Sequence, residues 1–227
     1  MNYFTILAMI FSRFQYKASI FGTVLFASAL MFSGCLSRAP LHKEMFSFGE
    51  TESPVASAFV DNHILKIAKL RIDAPFEERS FVYRTGDFSY VRDPYAEFMD
   101  SPDAELMATA REWFRNHRVF RGVADSSSAL KPDIILEIDV SQLFGDFRQP
   151  KHPAAILTMR FVFFEAPNGI PGKMLFQQEY TRNVPLDEPN AAALMKGWNE
   201  GLLGILHQVS ENFQNRPQPT EALKNGK

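Results

Sequence analysis

Residues 133–141 read Asp-Ile-Ile-Leu-Glu-Ile-Asp-Val-Ser, and residues 155–164 read Ala-Ile-Leu-Thr-Met-Arg-Phe-Val-Phe-Phe. Apolar side chains alternate with more polar ones in both stretches, and residues 173–182 continue this alternation. A period of two residues is typical of strands that have one buried and one wetter face. Turn signals at Gly145-Asp146 and Asn168-Gly169 join the three stretches, which predicts an antiparallel meander.

The part of the chain before the meander predicts further strands. Residues 64–72 are apolar on both parities in their first half, which is typical of a central strand covered on both faces. Residues 80–84 and 88–92 flank the turn Thr85-Gly86-Asp87 and predict a hairpin. A short strand is expected near residues 119–123.

Two helices are predicted. Ser101-Pro102 is typical of a helix start, with Ser as N-cap and Pro in the first turn, and this helix should end near Arg118. The second helix should span residues 191–213, where apolar side chains recur at steps of three and four. Its glycines indicate close packing on the sheet or, alternatively, a groove for lipid or a partner; they are Gly197, Gly201 and Gly204.

Together these elements predict an α+β fold, a two-layer sandwich in which two amphipathic helices pack on a mostly antiparallel sheet. We expect the domain to span residues 61–213. Residues 35–60 should be a flexible tether and residues 214–227 a disordered polar tail, because Pro, Gly, Ser and Asn interrupt any periodicity there.

The first 34 residues are typical of a secretory signal. Arg13 and Lys17 precede an apolar run of about 15 residues, which is shorter than the ~20 residues that a transmembrane helix needs. The run ends in Phe32-Ser33-Gly34-Cys35, a pattern that resembles a bacterial lipobox cleaved between Gly34 and Cys35. Cys35, the single cysteine of the 227 residues, would then carry the lipid. The alternatives are an ordinary secretory signal and an N-terminal anchor helix.

Composition argues against several classes of protein. The formal net charge is -2, so we expect no nucleic-acid partner, and one cysteine excludes an intramolecular disulfide or a cysteine-rich metal site. The five histidines show no metal-ligand spacing, and we find no nucleophile elbow or phosphate-binding loop. Asp133, Glu137 and Asp139 share one strand face, where a solvated surface is more plausible than an acid–base pair. We therefore expect neither an enzyme nor a cofactor or metal.

The aromatic-rich segment 81–98 interleaves rings with arginines. It is either core and edge packing or a contact surface for a protein or lipid headgroups, because tyrosine and arginine are enriched at interfaces. The candidate interface residues are Tyr83, Arg84, Tyr90, Arg92 and Tyr95.

The chain resembles the ABC-type transport auxiliary lipoproteins, the PqiC-like family, over residues 64–213. The resemblance rests on the first strand up to Ala74-Pro75, on Val82-Tyr83-Arg84, on Pro94-Tyr95-Ala96-Glu97-Phe98 before Ser101-Pro102, on Leu143-Phe144-Gly145-Asp146-Phe147, and on the long final helix.

This resemblance implies a lipoprotein at the periplasmic face of the outer membrane. Its implied partners are an MCE-domain periplasmic protein and an inner-membrane ABC permease and ATPase, with phospholipid or another hydrophobic molecule as cargo, and it implies a homo-oligomeric ring. The alternative function is an envelope scaffold or outer-membrane assembly lipoprotein that has no direct transport role.

Overall fold

The computed structural model describes residues 42–49, 61–125 and 127–216. These residues form eight strands and two α-helices, and two 3₁₀ turns at Ala74–Phe76 and Pro167–Gly169. The elements in chain order are β1 (Glu44–Phe46), β2 (Asp61–Ile72), β3 (Ser80–Arg84), β4 (Tyr90–Phe98), α1 (Pro102–Asn116), β5 (Phe120–Ala124), β6 (Ile134–Asp146), β7 (Ala154–Glu165), β8 (Met174–Pro185) and α2 (Ala191–Gln214).

The sheet divides into two branches along strand β6. One edge of β6 pairs along its whole length with β7, which in turn pairs with β8, and both pairings are antiparallel. The other edge pairs in parallel with β2 over residues 134–140 and with β3 at residues 145–146. Beyond β2 lies β5, and beyond β3 lie β4 and β1. The sheet is therefore mixed, although its longest pairings are the antiparallel ones of the predicted meander.

Both helices pack on one face of the sheet, the covered face. Phe120 of β5 lies between them, with ring centroids 5.8 Å from Phe114 of α1 and 5.4 Å from Phe213 of α2. Trp198 of α2 is fully buried, 4.9 Å from Phe81 between ring centroids, and its indole Nε1 donates to the Ile156 carbonyl at 3.2 Å. The α+β class and the two-layer arrangement are confirmed.

The opposite face of the sheet carries no helix among the described residues, and we call it the open face. Its centre is polar: Asp139 of β6 accepts hydrogen bonds from Arg71 at 2.7 Å and from Arg160 at 2.6 Å. The solvated face predicted for the alternating strand is this one. Asp133, just before β6, accepts a hydrogen bond from the Ile64 backbone N–H at 2.9 Å.

The glycines of α2 lie against the sheet. A Cβ atom at Gly197 would be 2.6 Å from Leu186 Cδ2 and 2.8 Å from Ala155 Cβ. At Gly201 it would be 3.3 Å from Arg182 Cβ. Because these glycines have no side chain, the helix backbone can approach β7 and β8. The glycines therefore allow close packing and do not form a groove.

Three local expectations are corrected by the structure. Residues 44–46, inside the predicted tether 35–60, form strand β1, which pairs in parallel with β4. The N-cap position of α1 is Ser101 as predicted, but its side chain makes no capping hydrogen bond. Glu105 instead accepts from the Asp100 and Phe48 backbone N–H groups at 2.9 and 3.1 Å, which ties the β1 segment to the start of α1. The expected tail begins within α2, since the helix ends at Gln214.

Candidate interaction surface

The predicted interface residues all lie on the hairpin of β3 and β4. Strand β4 is longer than expected and continues through Pro94 to Phe98. Its pairing with β3 is irregular, because Ser80 lies opposite Glu97 whereas Val82 lies opposite Arg92. Strand β4 therefore has extra residues between Arg92 and Glu97, which form a bulge, and Tyr95 lies on this bulge.

Asp93 organises the bulge. One carboxylate oxygen accepts the backbone N–H groups of Tyr95 and Ala96 at 2.7 and 3.2 Å, and the other accepts the hydroxyl of Tyr83. The ring of Tyr83 also stacks on Phe147 with centroids 4.8 Å apart. Burial, followed by the hydrogen bond and negative charge of Asp93, raises the pKa of Tyr83 well above its usual value. Tyr83 is thus an internal support of the hairpin.

The two predicted interface arginines bind within the chain. Arg84 donates to the carbonyls of Gly86 at 3.3 Å and Asp87 at 2.8 Å, which braces the turn between the two strands. Arg92 donates to the Pro75 carbonyl at 3.1 Å and lies 3.4 Å from the Glu78 carboxylate. Both guanidinium groups therefore have a structural role in addition to any role in partner binding.

Exposed apolar area is concentrated on the same hairpin. Tyr95 is 58% exposed, Val91 51% and Tyr90 49%, and we call these three residues the hairpin strip. Phe88, in the turn, is 98% exposed. Phe88 was not among the predicted interface residues. The sequence does contain a signal for it, because an aromatic side chain directly follows the predicted turn Thr85-Gly86-Asp87.

An apolar cleft borders the strip on the open face. Its volume is about 300 Å³, and it lies where the β2 and β3 branches separate. Two of its aromatic lining residues pack on the buried ring of Phe144: Phe76 stacks on it at 5.8 Å and Tyr90 lies edge-on to it at 5.6 Å between centroids. The cleft is lined by Pro75, Phe76, Val82, Tyr90, Val91 and Arg92.

The described residues contain neither the predicted lipidation site nor a metal site or a membrane-spanning helix. Gly34 and Cys35 lie outside the described residues. Over residues 42–49, 61–125 and 127–216, His, Cys, Asp and Glu side chains form no cluster suited to a metal ion. Within the same residues no helix has the length and apolarity to cross a bilayer.

The fold occurs in solved structures. Protein XCC0632 from Xanthomonas campestris, assigned to the family DUF330, superposes with a TM-score of 0.64 at 15% identity, over 75% of this chain and 95% of that one. An uncharacterised protein superposes with a TM-score of 0.59 at 12% identity, over 75% of this chain and 98% of that one. No family model and no curated protein matches the sequence. At these identities the similarity establishes the fold alone.

Proposed function

We propose that this chain is a cell-envelope lipoprotein, anchored through Cys35, that acts as the auxiliary docking component of an MCE-type ABC transporter. It faces the periplasm from the outer membrane, and the transported molecules are phospholipids or similar hydrophobic compounds. The observation that carries the docking role is the hairpin strip, where three large apolar side chains remain about half exposed beside an apolar cleft. Exposed apolar patches of this kind are typical of binding surfaces.

The architecture supports a binding role for this hairpin. Asp93 fixes the bulge that presents Tyr95, and Arg84 and Arg92 hold the hairpin to its own turn and to the Pro75 segment. A surface held in this way loses little conformational entropy when a partner binds. The DUF330 structure supports this proposal at the level of the fold.

The anchor is tested by labelling with radioactive palmitate. Wild-type chain should incorporate the label, whereas Cys35→Ser should not, because the thioether linkage needs the thiol. Equal incorporation by the two proteins would contradict lipidation at Cys35.

The docking role is tested by photo-crosslinking in the native envelope. A photoreactive phenylalanine replaces Tyr95 in one variant and Ile170 in the control, since Ile170 is also exposed, at 67%, but lies in the β7–β8 turn. We expect an MCE-domain protein among the adducts formed at position 95 and none at position 170. Adducts formed only with other outer-membrane proteins would support the scaffold function instead.

A further inference from the structure

We propose that the tip of the β3–β4 hairpin, residues 85–89, rests on the lipid bilayer and inserts the ring of Phe88 into its interface. This inference depends on the proposed lipidation of Cys35, and it concerns a contact separate from the hairpin strip. It follows from three features: the presentation of Phe88, the direction of β1 and the length of chain between β1 and Cys35.

The tip holds Phe88 outward on a braced turn. The Thr85 N–H donates to the Ser89 carbonyl at 2.9 Å, and Arg84 donates to the carbonyls of Gly86 and Asp87. Arg148 in the β6–β7 turn lies 3.2 Å from the Asp87 carboxylate, so a neighbouring turn supports the tip as well. A phenylalanine that is 98% exposed on such a turn has no packing partner within the described residues. Phenylalanine is one of the side chains that peripheral proteins bury at the boundary between lipid headgroups and acyl chains.

The direction of strand β1 turns the anchored side of the domain toward the tip end of the hairpin. Because β1 runs parallel to β4, its first residue, Glu44, is its end nearer to the tip. Met45 pairs with Glu97, which pairs with Ser80, and Ser80 lies four residues before the end of β3 at Arg84. Four residues of a strand span about 13 Å, so β1 pairs about that far back from the end of β3, and the chain before Glu44 comes from the direction of the tip.

The length of chain before β1 limits the distance to the membrane. Cys35 precedes Glu44 by nine residues, which can span at most about 30 Å even when fully extended. A lipid on Cys35 therefore holds β1 within about 30 Å of the bilayer. Phe88 at the tip is the most exposed large apolar side chain among the described residues, at 98%, whereas Met45 of β1 is 57% exposed. The exposed Ile170 lies in the β7–β8 turn, at the opposite end of β6 and β7.

Charge contributes little to this contact. Lys151 and His152 are exposed in the adjoining β6–β7 turn, but Asp187 and Glu188 are exposed in the loop before α2 at the same end. Opposite charges at one end of the domain leave no strong preference for anionic lipid. The ring of Phe88 should therefore enter neutral and anionic bilayers equally.

The test uses the full lipidated chain with one new cysteine, Phe88→Cys or, as control, Ile170→Cys. The lipid blocks the thiol of Cys35, so an environment-sensitive fluorophore labels only the introduced cysteine. Each protein is reconstituted in vesicles of phosphatidylethanolamine and phosphatidylglycerol that contain a phosphatidylcholine with a nitroxide near the top of its acyl chain. We expect quenching at position 88 about threefold stronger than at position 170, because interfacial groups lie roughly 5–10 Å into the bilayer.

The outcomes separate this inference from the proposed function. Equal weak quenching at both positions on lipidated protein would overturn the tip contact and leave the anchor intact. A label shielded from solvent but not quenched by the nitroxide lipid would show that a second copy or another protein covers the tip, which also overturns the inference. A wild-type chain that labels at Cys35 is not lipidated, and that result would overturn the anchor and the tip contact together.

Discussion

The two faces of the sheet use the same kinds of residue for different purposes. On the covered face, Arg182 of β8 lies beneath α2 and donates to the Gly204 carbonyl at 3.1 Å and to Gln208 at 2.8 Å. On the open face, Arg71 and Arg160 share Asp139 in contact with solvent. Aromatic rings pack fully around Trp198 on one face, whereas Tyr90 is half exposed on the other. The comparison shows that one residue type, such as arginine, lies beneath a helix on one face and remains in contact with solvent on the other.

Substitution of Trp198, on the covered face, should have the largest effect on stability. Trp198→Ala removes the ring contacts with Phe81 and Phe98 and the hydrogen bond to Ile156. We expect the free energy of unfolding to fall by about 3–5 kcal/mol and the melting temperature by roughly 10 °C. Thermal unfolding followed by circular dichroism measures this, with Phe88→Ala as the exposed aromatic control. A shift as small as that of the control would contradict the buried position.

Substitution of a glycine of α2 should have the next largest effect. Gly197→Ala places a methyl group in contact with Leu186 and Ala155, so we expect a loss of about 1–2 kcal/mol despite the better helix propensity of alanine. Gly204→Ala is the matched control, because its nearest neighbour is the movable end of Arg182, at 3.1 Å. Urea unfolding of both variants compares them. A more stable Gly197→Ala protein would mean that the helix and sheet can separate without loss.

The polar centre of the open face should respond to acid. Partial burial raises the pKa of Asp139, but hydrogen bonds and charges from Arg160 and Arg71 outweigh burial, so its pKa is lowered overall. A lowered pKa contributes stability above the unfolded value of about 3.9, and this stability is lost as the pH falls through the folded value. Asp139→Asn should therefore cost about 1 kcal/mol at neutral pH.

The difference between wild type and Asp139→Asn should shrink as the pH falls below about 4, because the wild-type carboxyl then becomes protonated too. Urea unfolding at neutral pH and at pH values below that range measures both differences. A gap that stays constant with pH would show that the asparagine acts through packing rather than charge.

The smallest effect is expected at the hairpin tip. Arg84→Ala removes two hydrogen bonds from the turn and should change global stability by less than about 1 kcal/mol, because the turn opens locally. Hydrogen exchange at the Thr85 amide, which bonds to Ser89, should accelerate, whereas exchange in β7 should not change. Unchanged exchange at Thr85 would show that the turn is stable without the arginine.

Much of the fold could be predicted because periodic burial is visible in a sequence. The meander of β6, β7 and β8, the central strand β2 and both helices follow from apolar periods of two and about 3.6 residues. Strand β1 could not be predicted, because three residues carry no period and their pairing partner β4 lies about 50 residues away. The irregular β4 was missed in part for a similar reason, since its bulge depends on Asp93 and the facing Tyr83.

The candidate surface was predicted as a segment, but the roles of its residues were not. Tyr83, Arg84 and Arg92 look like interface residues in the sequence, yet each has a partner inside the chain. The exposed residues are instead Tyr90 and Tyr95, which were predicted, and Val91 and Phe88, which were not. Exposure depends on which neighbours fold against a side chain, and a local pattern does not contain that information.

The sequence by itself determined which segments form helices and strands, and the lipobox-like motif that ends at Cys35, because these depend on neighbouring residues. It also offered the packing of α2 on the sheet as one of two alternatives. Only the tertiary structure decided how the sheet branches at β6, which face the helices cover and where Arg182 lies. Those features arise from contacts between residues far apart in the chain. The parallel pairing of β1 beside the end of β4, which makes the chain before Glu44 come from the direction of the hairpin tip, is a contact of the same kind.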